Sequence, residues 1–180
     1  MGIQPSGNGA IIPFASGSEF EMRTTTAGDS NVVGLIGFGA NGIGVESAGT
    51  IDISVNILNP YQAFSVPRNG TITSISALFS VVEVDIPSLV DVTLTAQLYS
   101  APPNTDEFTA IPSASVVLAT DITEAIPPGD IRSDITNNLN IPVLAETRLL
   151  MVFFTTASTG SIALLDTGLT GFASAGVNIV

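Results

Sequence analysis

The chain has 180 residues, sixteen of them acidic and four basic, for a net charge of −12. It contains no cysteine, histidine, tryptophan or lysine, and its cations are Arg23, Arg68, Arg132 and Arg148. This composition excludes disulfides, zinc sites of sulfur and imidazole, and Ser-His-Asp or Cys-His catalysis; so negative a field also repels nucleic acid and anionic lipid, whose binding needs clustered Lys or Arg.

The mean hydropathy of +0.51 is high beside that charge. Leu149–Phe154, the longest apolar stretch, falls far short of the ~20 residues of a membrane-spanning helix. A transmembrane barrel needs aromatic girdles, and the chain has two Tyr and no Trp. The length suits one domain or two very small ones, and is long enough to bury a core without metal or disulfide staples. Apolar surface that lipid does not take is expected between subunits.

Met1-Gly2 opens a polar, Gly- and Pro-bearing stretch without an apolar signal region. Residues 1–9 read as a junction to a longer chain upstream, and residues 10–180 as one domain. Strand signals then follow at Ala10–Phe14 and Val32–Phe38. Gly37-Phe38-Gly39-Ala40-Asn41-Gly42 fits G-x-G-x-x-G, but the glycine-rich Ile43–Gly49 cannot supply the helix a nucleotide site needs. Thr50–Leu58 alternates, with Ile51, Ile53, Val55 and Ile57 opposed by Asp52, Ser54 and Asn56. Gln62–Val66 and Thr71–Val84 flank Asn69-Gly70, a pair suited to the two positive φ angles of a type I′ hairpin turn. Asn69-Gly70-Thr71 also matches a glycosylation sequon, although hairpin chemistry accounts for both residues.

Asp91–Tyr99 alternates as cleanly as the Ile51 segment. Ser115–Ala119, Asn138–Val143, Thr147–Ala157, Ser161–Leu165 and Gly171–Val180 complete the strands. Asp121–Ala125 allows one helical turn, stopped by Pro127-Pro128. Many short strands separated by Pro, Gly and Asn point to an all-β antiparallel sandwich or jelly roll.

Leu149–Phe154 is apolar on both faces, so it needs two covers. One is the opposite sheet. The sequence offers no helix for the other, so a neighbouring subunit is expected there. In the last strand Ala173, Ala175, Val177 and Ile179 alternate with Ser174, Gly176 and Asn178. Small residues suit close approach around an axis, with ordinary edge-strand packing as the competing explanation. The expected subunit interface is therefore Leu149, Met151, Phe153, Ala173, Ala175, Val177 and Ile179.

Chemistry-bearing clusters are weak. Glu83 and Asp85 share a strand face that is expected to meet solvent. Asp130-Ile131-Arg132-Ser133-Asp134 offers oxygens to calcium, but without the spacing of an EF-hand loop. Arg148 beside Glu146 suggests an ion pair, worth ~0–1 kcal/mol if exposed. No catalytic, cofactor or metal residue is assigned.

Six segments, in order, carry a resemblance: Ala10–Gly17, Gly37–Gly39, Phe64–Ala77, Thr95–Ser100, Thr147–Phe153 and Gly171–Val177. Together they resemble the BclB-type C-terminal domain of collagen-like glycoproteins on the exosporium of spore-forming bacteria, across nearly the whole chain. The resemblance implies a jelly roll similar to tumour-necrosis-factor and complement heads. It also implies a homotrimer at the tip of a collagen-like stalk on the spore surface, with residues 1–9 joining the two. No catalytic residues or cofactors come with it. The chain departs from the full-length pattern in having no Gly-X-Y repeat and no anchoring leader, so stalk and attachment are implied only. Collagen chains need three partners in register, and a trimeric head brings three chain ends together beforehand. The alternative is an adhesin that binds a host surface or glycan. The scarcity of Lys and Arg leaves few tryptic sites, which suits an exposed layer.

Overall fold

Period-two alternation leaves one apolar face on each long strand, and the fold closes those faces on one another. The computed structural model describes residues 9–54, 62–158 and 166–180. Among them lie thirteen strands and no helix. They are β1 (Ala10–Ala15), β2 (Phe20–Thr24), β3 (Ser30–Ile36), β4 (Asn41–Val45), β5 (Thr50–Asp52), β6 (Phe64–Ser65) and β7 (Gly70–Asp85). Then come β8 (Asp91–Ala101), β9 (Glu107–Ile122), β10 (Ile131–Thr136), β11 (Ile141–Val143), β12 (Arg148–Ser158) and β13 (Gly168–Ile179).

All strand pairings are antiparallel. The first sheet runs β1-β13-β7-β10 and the second β3-β12-β8-β9. These principal strands alternate between sheets along the chain, except for the β8–β9 neighbours. That order is a jelly roll. β2 pairs with both β13 and β3 and so joins the sheets along one edge.

The core lies between the sheets. Phe20 meets Phe79 edge-on at 5.9 Å between ring centroids and Phe153 at 6.4 Å. Such contacts add about 0.5–1.5 kcal/mol each beyond area burial. The crowding leaves no room for a side chain at Gly34, where a Cβ would stand 2.0 Å from the Phe20 ring.

The expected strands at Ala10, Val32, Thr71, Asp91, Thr147 and Gly171 all form, with ends displaced by a few residues. The Thr50 segment is a strand over Thr50–Asp52; residues 55–61, and the expected strand Ser161–Leu165, lie outside the described residues. β9 runs well beyond Ser115–Ala119, and its pairing with β8 is irregular. Asp121–Ala125 ends β9 and enters a turn, not a helix. Sequence reasoning misses β2, β4 and β10. β2 is short and carries Glu21 and Arg23 on one face. β4 is glycine-rich, and β10 has its two isoleucines on the exposed side.

The Asn69-Gly70 hairpin is corrected. β6 pairs with β12, not β7, and neither Asn69 nor Gly70 has positive φ. Asn69 instead accepts a hydrogen bond on Oδ1 from the Ala145 amide, 2.8 Å away. Gly70 is held by close approach, since a Cβ there would stand 2.6 Å from Ile179 Cγ2. Paired φ angles of the type I′ kind occur at Ala48 (51°) and Gly49 (82°), where Ser47 and Thr50 exchange backbone hydrogen bonds.

Candidate assembly face

β12 is buried on both sides, and one chain supplies both covers. Leu149, Met151 and Phe153 face the core between the sheets. Leu150 and Val152 face outward, into a second cluster with Val33, Leu35, Ile51, Ile53, Tyr99 and Phe108. The chain's own β5 segment therefore covers the face for which a sister subunit is expected. On β13, Ala173, Ala175, Val177 and Ile179 also point into the main core. The seven expected interface residues are thus interior residues of a single chain, and that assignment is corrected. In a strand the set facing out is displaced by one residue from the set facing in.

The outward set is different in kind. On the first sheet the register aligns Ile131, Ser80 and Phe172 in one row, and Ser133, Leu78, Ser174 and Ala15 in the next. Ile135, Ser76, Gly176 and Pro13 follow, then Ser74, Asn178 and Ile11. None of these side chains is charged. Several are large, apolar and open: Ile11 is 74% exposed, Ile131 60%, Ile135 52% and Phe172 44%. Ser76, Leu78, Ser133, Ile135 and Ser174 line a depression of about 520 Å³ in this face, together with one acidic residue, Asp134. Charge returns beyond the β-bulge at Thr170/Gly171. There Arg23 bonds Glu21 at 2.7 Å and lies 3.6 Å from Asp166.

The remaining sequence-singled residues do not gather into a reactive site. The G-x-G-x-x-G segment begins as a loop tied by an Ala15–Phe38 bridge, and its last two residues, Asn41 and Gly42, open strand β4 where a nucleotide site needs a helix. Asn41 donates from Nδ2 to the Ser16 and Ser18 carbonyls, both at 2.9 Å. Glu83 and Asp85 face solvent. Asp130 accepts from Arg132 Nε at 2.6 Å, while Asp134 accepts from the Ile135 amide at 2.7 Å. Among the described residues no three acidic side chains are gathered to hold a metal. Arg148 pairs with Asp106 at 2.7 Å, within its own chain, and its guanidinium lies 5.2 Å from the Phe108 ring centre.

No protein-family description and no curated protein matches the chain. Among solved structures it is similar to a chain of infectious bursal disease virus, Gt strain, at TM-score 0.42 and 11% identity, covering 99% of this chain and 37% of that one. The VP2 subviral particle of that virus gives 0.36 and 12%, covering 98% and 36%. This chain spans about a third of those viral chains. Eiger TNF from S. frugiperda gives 0.36 and 12%, covering 92% of each chain.

Proposed function

We propose that this domain is a non-enzymatic, homotrimeric head that nucleates and caps a collagen-like stalk on the bacterial spore surface. One observation carries the assembly: the outward rows of the β1-β13-β7-β10 sheet are partly apolar and hold no charged side chain, with Asp134 the one acidic residue lining the depression there, on a chain of net charge −12. A face that meets only water has no reason to exclude carboxylates. A face that meets two sister chains does, because each copy brings the same negative charge and like charges repel at close range. Interleaved serines also let backbones approach closely. The stalk and spore surface rest on the sequence resemblance.

The test is sedimentation of the isolated domain. A mass three times the 18.4 kDa chain, falling on Ser174→Asp, is the expected result. A monomer at micromolar concentration overturns the proposal.

A further inference from the structure

The second sheet carries a separate feature on its outer side. The Ala48-Gly49 turn, docked by a hydrogen bond from the Ala110 amide to the Gly49 carbonyl, overhangs a cavity of about 490 Å³. Its lining includes the acidic residues Asp29 and Glu46, the polar residues Ser30, Gln97 and Thr156, and the aromatic residues Tyr99 and Phe154. No arginine lines it.

The groups have defined capacities. Glu46 Oε1 accepts from the Gly49 amide at 2.6 Å, which orders the carboxylate and leaves its other oxygen for a ligand. Gln97 spends an Nε2 hydrogen on the Ile111 carbonyl at 3.1 Å, so its Oε1 keeps acceptor capacity. The Ser30 hydroxyl oxygen is buried with no hydrogen-bond partner among the described residues. Buried hydroxyls are seldom left so, and each exception needs an explanation. Tyr99 is only 2% exposed, and burial together with the Glu46 carboxylate pushes its phenol up to about 12. It therefore stays a neutral hydroxyl at neutral pH. The overhanging turn is strained, since Ala48 holds a φ of 51° that favours glycine or asparagine. Such strain concentrates where a ligand is held.

We propose that this cavity binds a small organic cation, a protonated amine. Two carboxylates without a compensating arginine disfavour anions. Oriented oxygens accept the ammonium hydrogens, and aromatic rings attract a cation through their faces. The cavity lies on the sheet opposite the assembly face, so this proposal stands or falls independently of trimerisation.

The test is titration of the isotope-labelled domain, following the Ala48 and Gly49 backbone amides by NMR. The probes are putrescine and glucosamine, with butanediol and N-acetylglucosamine as uncharged counterparts. At least one amine is expected to shift these amides and to bind about tenfold or more tightly than its uncharged counterpart; one lost ionic contact is worth roughly that factor. Glu46→Gln keeps the acceptor for Gly49 while removing the charge, and is expected to weaken amine binding about tenfold. Asp29→Asn is the second variant, with the same expectation. Equal binding of amines and uncharged counterparts overturns the proposal, as does unchanged affinity in both variants or no shift with either amine.

Discussion

Gly171→Ala tests how tightly the two sheets close. Gly171 pairs with Phe20 of β2 and Val81 of β7, beside the β-bulge. A Cβ at this position would stand 2.2 Å from the Ser80 carbonyl oxygen, and 2.5 and 2.6 Å from two atoms of the Phe79 ring. Ordinary contact begins near 3.4 Å. The carbonyl belongs to the neighbouring strand's backbone, and Phe79 is fully buried against Phe20 and Phe153. Neither neighbour can yield without moving the ladder or the aromatic cluster. Overpacking costs about 1–3 kcal/mol, and a weakened ladder hydrogen bond about 1 more, so the loss is about 3 kcal/mol. For a chain of this size that lowers Tm by roughly 6–12 °C. The measurement is thermal unfolding followed by circular dichroism. Gly176→Ala, five residues along the same strand, is the comparison. Its Cβ would stand 3.4 Å from Ser76 Oγ and 3.8 Å from Ile11 Cγ2, so it is expected to leave Tm within a few degrees. Equal shifts in the two variants would refute the reasoning.

Ala48→Asn relieves a left-handed alanine in the turn and is expected to raise stability by about 1 kcal/mol in urea unfolding, since Asn tolerates that conformation better. Val177→Asp places a carboxylate in the core and is expected to abolish folding by circular dichroism, whereas Ser174→Asp folds and only lowers the sedimenting mass. Tyr99 gives a pH dependence. Its folded pKa lies above the unfolded value, so the folded state holds the proton longer, and this contribution is lost as pH rises from about 10 through about 12. An ultraviolet titration should show one tyrosine ionising late, and Tyr99→Phe should remove that phase.

Much of the fold was legible because alternation is local. Asp91–Tyr99 and Thr71–Val84 declare a wet face and a dry face without reference to any neighbour. β10 was not legible, because Ile131 and Ile135 sit on its exposed side and its sequence mimics a polar loop. Asn69-Gly70 misled for a related reason. The dipeptide permits a tight turn, but β6 found its partner in β12, and the strand pairing overrode the local preference. Ala48-Gly49 gave little signal, since alanine is a poor occupant of that turn.

The assembly face was half legible. Ser174, Gly176 and Asn178 in the last strand are visible as the alternate set, but the apolar set beside them is the one that sequence pattern alone marks as an interface. By itself the sequence determined an all-β chain that binds no zinc through sulfur or imidazole, and strands divided into apolar and polar sides. Only the tertiary structure decided where the second apolar side of β12 is sheltered and which face stays open. The reason is that burial belongs to a pair of surfaces: Leu150 and Val152 are dry because Ile51 and Ile53, a hundred residues away in the chain, fold over them.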